Sequence, residues 1–203
     1  MVVTTPQDSA TISVASAIPN VEVFTTNAFT EDAGTWFNKG KAMNAALDKF
    51  GYHGWLAFMD GDILLPKDGF SGAEFRIGNL YSPRRRMSPT DTWDGTWDWS
   101  RWPIFHDVEF AGYFQAFSAD DPRLTTKPWL EDIWINGCCD SPFQAKWPPD
   151  RKIRPNFEVL HIGRQAGKYR FGRSRQAQLM TRKYNAMRRP GDNYVNEKIR
   201  RAA

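Results

Sequence analysis

The sequence predicts an α/β fold in which helices flank one mainly parallel sheet. Three segments carry this prediction: the β-prone run Val2–Thr4, an amphipathic helical pattern over 37–50, and the apolar run Trp55–Met59. Strands that alternate with helices at this spacing are typical of right-handed β-α-β units.

The first unit combines a strand, a helix and a second strand. Thr5 is the expected N-cap and Pro6 the first helical residue. A second strand is expected over 21–26. Apolar residues recur at helical spacing between these strands and predict the buried face of the helix, at Ala10, Val14, Ala17 and Ile18.

The second unit repeats the pattern. Its helix is predicted over 37–50, with Gly51 as its end. The run Trp55–Met59 is apolar throughout, so we expect a strand that is buried on both faces. Later strands are expected over 110–117 and 158–162, and a short helix over 129–136.

Composition and length indicate one globular domain with a basic tail. The 203 residues are 41% hydrophobic and 25% charged, close to globular averages. We expect a domain over 1–174 and a helical tail over 175–203. No apolar run approaches the roughly 20 residues that span a bilayer, and the start lacks the pattern of a secretory signal. The adjacent Cys138 and Cys139 fit poorly into a disulfide, so a cytoplasmic protein is expected.

Charge is distributed unevenly along the chain. Residues 164–203 carry 12 Lys/Arg and 2 Asp/Glu, whereas the preceding residues carry 15 and 21. Such a tail suits phosphates of nucleic acid, lipid or a small ligand, and it equally suits a solvated helix.

Two carboxylates follow the predicted buried strand. Asp60 and Asp62, separated by Gly61, stand at the carboxyl edge of the expected sheet, where open α/β sheets bind ligands. Two acids in this position repel each other, and a divalent cation would compensate them. The alternative is a solvated turn.

The order of several segments resembles the GT-A fold of glycosyltransferases, of the family 2 and galactosyltransferase types. The matching segments are 2–6, 23–27, 37–44, the Asp60-Gly61-Asp62 triplet, 112–117, 137–143 and 159–164. The resemblance implies a single Rossmann-like sheet and a metal-dependent hexosyltransferase. It also implies a nucleotide-diphosphate sugar donor, with a UDP-sugar favoured, and a glycan or other hydroxyl acceptor. No membrane span is expected, and nucleic acid is not expected as a substrate.

The same resemblance assigns the site residues. A Mn²⁺ or Mg²⁺ ion would be bound by Asp60, Asp62 and His161 and would neutralise the departing diphosphate. The donor would be bound by eight residues: Thr4, Thr5, Pro6, Thr25, Asn38, Lys39, Asp60 and Gly61.

An inverting transfer needs a carboxylate to accept the acceptor's proton. Asp140 is the candidate base, in a loop whose small residues are expected to keep it accessible. Asp132 and Glu131 are rivals. Cys138 and Cys139 stand where galactosyltransferase-type enzymes have a more acidic loop, so the donor sugar and the stereochemistry stay open.

Two further segments are candidates for ligand contacts. Residues 92–103 contain four of the nine tryptophans, which offer flat faces to sugar rings or pack as ordinary core residues. A segment of the Tyr-x-x-Arg type lies at 81–86. One of its three arginines is expected to reach the diphosphate or acceptor, because adjacent residues cannot all point one way.

Two other functions compete with this interpretation. A nucleotidyltransferase-like enzyme shares the sheet and the acids, but residues 4–8 lack a glycine-rich phosphate loop. A nucleic-acid-binding module would use the basic tail, but its acids at the ligand edge would repel phosphate.

Overall fold

The computed structural model describes residues 1–29, 38–88, 90, 92–104, 110, 112–131 and 139–162. These residues form a mixed α/β structure. The helices are α1 (Ser9–Ser16), α2 (Lys39–Phe50) and α3 (Asp140–Gln144), with 3₁₀ turns at Asn27–Phe29 and Pro149–Arg151. The strands are β1 (Val2–Thr4), β2 (Val23–Thr25), β3 (Trp55–Met59), β4 (Ile63–Leu64), β5 (Leu80–Tyr81), β6 (Arg84–Met87), β7 (Phe114–Ser118), β8 (Lys152–Ile153) and β9 (Glu158–His161). The expected tail helix over 175–203 lies outside the described residues.

The first unit is a β-α-β unit with parallel strands, as predicted. β1 and β2 pair in parallel, and Thr4 lies opposite Thr25. The helix between them begins later than predicted, at Ser9, because Asp8 is the N-cap. Its carboxylate accepts hydrogen bonds from the Thr11 amide at 3.1 Å and the Thr4 hydroxyl at 2.8 Å.

The predicted apolar face of α1 is wrong. Val14 and Ile18 are 67% and 49% exposed, and Ala15 is the buried residue of the helix. The reason is the size of the surface beneath α1, since each strand of this sheet is only three residues long. So small a sheet does not cover a full helical face.

Helix α2 confirms the second prediction. Asn38 caps its start by accepting a hydrogen bond from the Lys41 amide at 2.9 Å. It ends at Gly51, whose φ of +100° favours glycine. Ala42 and Leu47 are buried on its inner face. The amide of Asn44 bonds to both backbone groups of Leu130, at 2.8 and 3.2 Å.

The remaining strands form two sheets, so a single parallel sheet is not confirmed. One sheet has the order β3-β7-β5-β8 and the other β4-β9-β6. The pairs β3–β7, β5–β7 and β4–β9 are antiparallel, whereas β5–β8 and β6–β9 are parallel. Among the described residues no α-helix lies between β3 and β7, and parallel neighbours need such a crossover.

Strand β3 has the predicted bounds but not the predicted burial. It lies at the edge of its sheet, with β7 on one side. Phe58 is buried, whereas Trp55 and Met59 are 47% and 43% exposed. An apolar run therefore predicted the strand correctly and its surroundings wrongly.

Aromatic residues fix α3 against this sheet. The Phe143 ring is fully buried, with centroid distances of 5.3 Å to Phe58 and 4.9 Å to Phe117. Trp147 closes the cluster, and its indole N–H donates to Asp121 at 2.8 Å. This packing sets the position of Asp140, the first residue of α3.

We expect Phe143→Ala to lower the free energy of unfolding by about 3–5 kcal/mol, because it leaves a cavity in a close-packed cluster. Urea denaturation followed by circular dichroism measures the change. The control is Val14→Ala, which removes an exposed side chain and should have an effect within about 0.5 kcal/mol. Similar midpoints for the two variants would contradict the assigned core.

Candidate functional site

The turn from Asp60 to Asp62 joins the two larger sheets. The Asp60 amide donates to the Tyr113 carbonyl, immediately before β7, at 3.0 Å. The Asp62 carbonyl accepts from the Ile162 amide, immediately after β9, at 2.9 Å. The backbone of each acid is thereby tied to a different sheet, and both acids lie where the sheets meet.

Asp62 is paired with His161, and both are predicted metal ligands. His161 ends β9, and the distance between its Nε2 and Asp62 Oδ2 is 3.2 Å. Burial would raise the pKa of Asp62, but the hydrogen bond and charge of His161 outweigh burial and hold this pKa below its ordinary value. Nδ1 of His161 is buried without a hydrogen-bond partner among the described residues, so Nε2 is the nitrogen that faces the site.

Asp60 is paired with Lys39, the first residue of α2. The Lys39 ammonium also donates to the Gly112 carbonyl at 3.2 Å. Its side chain is 16% exposed. Burial would lower the pKa of Lys39, but the attraction of Asp60, with smaller contributions from Cys139 and Asp140, raises it above the ordinary value. Lys39 is therefore a fixed positive charge that lies next to Asp60, a predicted donor-binding residue, and next to Asp140, the predicted base.

Asp140 lies beside this ammonium rather than in an open loop. It is 8% exposed, which differs from the accessible position that the sequence predicted. The reason is the anchoring of α3 by Phe143, which brings Asp140 against Gly112. A Cβ atom at Gly112 would overlap the Asp140 side chain, so this position accommodates no side chain.

Arg85 is a further charged residue at the joint. Its guanidinium lies 4.6 Å from the centroid of the Tyr113 ring. Burial lowers the pKa of Arg85, while Tyr113, Asp60 and Asp62 oppose that shift. The Arg85 guanidinium stays protonated despite this burial. The sequence alone does not distinguish Arg85 from Arg84 and Arg86 as the arginine expected to reach the diphosphate or acceptor.

The predicted nucleoside-binding residues lie at the carboxyl ends of β1 and β2. Thr4 is buried and bonded to Asp8, Thr25 is exposed, and Thr5 and Pro6 follow β1. Contacts of Ala42 with Val3 and Phe29 place the start of α2 against this sheet. No described hydrogen bond links these threonines to the acids, and the buried Asn38 caps α2.

The remaining predicted residues make none of the contacts described above, or lie outside the described residues. Glu131 is exposed, and Asp132 is not among the described residues. Gly61 has open space where a Cβ would point. Trp93 and Trp97 are 37% and 43% exposed. Their loop is held by Arg86, which donates to the Trp102 carbonyl at 2.6 Å.

The spacing of Asp62 and His161 is close to that of adjacent ligands on one divalent cation. Two atoms that each lie about 2.1 Å from an octahedral ion are about 3 Å apart when adjacent, and the observed distance is 3.2 Å. Within the described part of the chain no group of three or more His, Cys, Asp or Glu could hold a metal. Phosphate oxygens and water would complete such a site, as is usual for Mg²⁺. Asp60 as a further ligand stays a prediction.

Comparisons with known proteins give no family for the chain: no family model, no curated protein and no solved structure matches it. No helix among the described residues is long and apolar enough to cross a membrane.

Gly112→Ala should destabilise the protein by about 1–3 kcal/mol, because the new methyl group overlaps Asp140 and forces α3 or β7 to shift. Gly61→Ala is the matched control, since nothing lies within 4 Å of its Cβ position. Thermal unfolding of both variants measures the difference. Equal melting temperatures would show that Asp140 does not pack on Gly112.

Proposed function

We propose that the chain is a metal-dependent glycosyltransferase of the GT-A type. It would move a hexose from a nucleotide-diphosphate sugar, with a UDP-sugar favoured, to a hydroxyl of a glycan or other acceptor. The observation that carries the proposal is the 3.2 Å contact between Asp62 and His161. They lie 99 positions apart in the sequence, and together they would form a cation-binding pair beside Lys39 and Arg85.

The arrangement suits a reaction that releases a diphosphate. Negative charge develops on the leaving group, and preorganised positive charge stabilises it. Asp62 and His161 would hold Mn²⁺ or Mg²⁺, with manganese favoured by the imidazole, and the ion would supply Lewis-acid neutralisation of the diphosphate. Lys39 and Arg85 add two fixed cations at the same place.

The donor's nucleoside would lie at the first β-α-β unit. Thr4 and Thr25 are adjacent at the ends of parallel strands, the edge at which open α/β sheets bind nucleotides. Thr5, Pro6, Asn38 and Gly61 stay predictions for this subsite. The proposal includes a GT-A domain over 1–174, in which the described sheets would be parts of one arrangement.

Asp140 is the proposed base for an inverting transfer. A base must be ionised, and a neighbouring ammonium favours that form of a carboxylate. Lys39 supplies this charge next to Asp140. The side chain retains an exposed fraction of 8%, and a base needs only one oxygen within reach of the acceptor hydroxyl.

Asp62→Ala should abolish the dependence of UDP binding on Mn²⁺, and His161→Ala should weaken Mn²⁺ binding by about 10- to 100-fold, typical of losing a metal-site interaction. Isothermal titration calorimetry with UDP, with and without Mn²⁺, measures both effects. The exposed Asp68→Ala is the control for charge. Unchanged Mn²⁺-dependent binding in Asp62→Ala would remove the basis of the proposal.

Asp140→Asn should leave UDP and Mn²⁺ binding intact while kcat falls by about 10²- to 10⁴-fold, because the substitution preserves size but removes the base. Release of UDP from a panel of UDP-hexoses with glycan acceptors measures turnover. Asp150→Asn, at an exposed position, is the matched control. Turnover of Asp140→Asn within a few-fold of wild type would transfer the role to Asp132 or Glu131, or indicate a retaining mechanism.

A further inference from the structure

Three consecutive arginines on β6 face different surroundings. β6 pairs in parallel with β9, so that Arg84 lies opposite Glu158, Arg85 opposite Val159 and Met87 opposite His161. Side chains alternate along a strand. Arg85 therefore shares the face of His161, whereas Arg84 and Arg86 share the face of Glu158.

The arginines on the opposite face of β6 make other contacts. Arg86 forms an ion pair with Glu158 and donates to the Ser100 carbonyl at 3.2 Å. Arg84 lines a groove of about 410 Å³ together with Arg154 and Asn156. The middle arginine of β6, Arg85, shares the face of His161 and interacts electrostatically with Asp60 and Asp62.

The position of Arg85 is fixed by the same residue that positions Asp60. Tyr113 is 5% exposed, and its hydroxyl donates to the Pro83 carbonyl at 2.6 Å. The Arg85 guanidinium stacks on this ring, while the Tyr113 carbonyl accepts from the Asp60 amide. The cation and the acid turn are therefore held in one rigid arrangement.

Arg85 places a positive charge near both acids. Its guanidinium interacts with the charges of Asp60 and Asp62, while the Lys39 ammonium pairs with Asp60. A divalent cation that approaches Asp62 is repelled by Arg85, whereas an anion is attracted by it. A guanidinium also binds phosphate oxygens in a bidentate manner.

We propose, on the basis of the function above, that Arg85 opposes binding of the divalent cation alone and binds the diphosphate of the donor. Because Arg85 repels the cation, binding of the metal would then depend on binding of the diphosphate. Loss of Arg85 would change the affinities for the two ligands in opposite directions, whereas loss of a merely structural residue would lower both affinities.

The test uses the full chain and two simple probes, Mn²⁺ alone and inorganic pyrophosphate alone in EDTA, each titrated calorimetrically. Arg85→Gln should bind pyrophosphate about 10- to 100-fold more weakly, the loss of charge-assisted hydrogen bonds, and Mn²⁺ about 3- to 10-fold more tightly, the removal of a nearby like charge. Arg85→Lys keeps the charge and should retain weak Mn²⁺ binding. Arg84→Gln, with the same change of charge on the other face, should leave both affinities within about 2-fold, because exposed charges are screened.

The inference is overturned if Arg85→Gln lowers the affinity for both ligands, changes the affinity for neither, or behaves like Arg84→Gln. It is also overturned, without any variant, if wild-type protein in EDTA does not bind pyrophosphate. Failure of the proposed function gives a different result: UDP-hexoses would not be turned over although the opposite shifts of Arg85→Gln were observed. Turnover without those shifts would remove the role of Arg85 alone.

Discussion

The structure around the two acids depends on the compensation of charge at the joint between the sheets. The Lys39 ammonium has little contact with solvent, and a buried charge is costly unless it is paired. Asp60 and the Gly112 carbonyl provide the partners. Because these groups come from α2, the end of β3 and the start of β7, one ion pair requires three separate segments to meet at one place.

Packing supports this electrostatic arrangement from both sides. On one side, Phe143 anchors α3 among the rings of β3 and β7, and the absence of a side chain at Gly112 lets Asp140 approach. On the other side, the ring of the buried Tyr113 packs against the Arg85 guanidinium, and its hydroxyl donates a hydrogen bond to the segment before β6. Apolar contacts thus set the positions, and the charges determine what the site attracts.

Local signals predicted the elements better than their partners. The bounds of β1 and β3 and the end of α2 follow from β-prone runs and a terminal glycine, which act within a few residues. Burial of Trp55 and Val14 depends on which other segments pack against them, and the sequence pattern does not contain this information. Asp62 and His161 were predicted as partners because the family resemblance names both, whereas Arg85 could not be separated from Arg84 and Arg86 until the register of β6 with β9 was known.

Under the proposed function, the charges at the joint would also determine which ligand the site favours. A lone cation at Asp62 is repelled by Arg85, and a lone anion at Arg85 is repelled by Asp60 and Asp62. A ligand that carries both signs would reduce these repulsions, because its cation would lie at Asp62 while its phosphates would lie at Arg85. A metal-bound nucleoside diphosphate has this distribution of charge. In the proposed reaction this arrangement would favour the metal–diphosphate unit over either component, because the fold brings Asp62, His161 and Arg85 to one face of the joint.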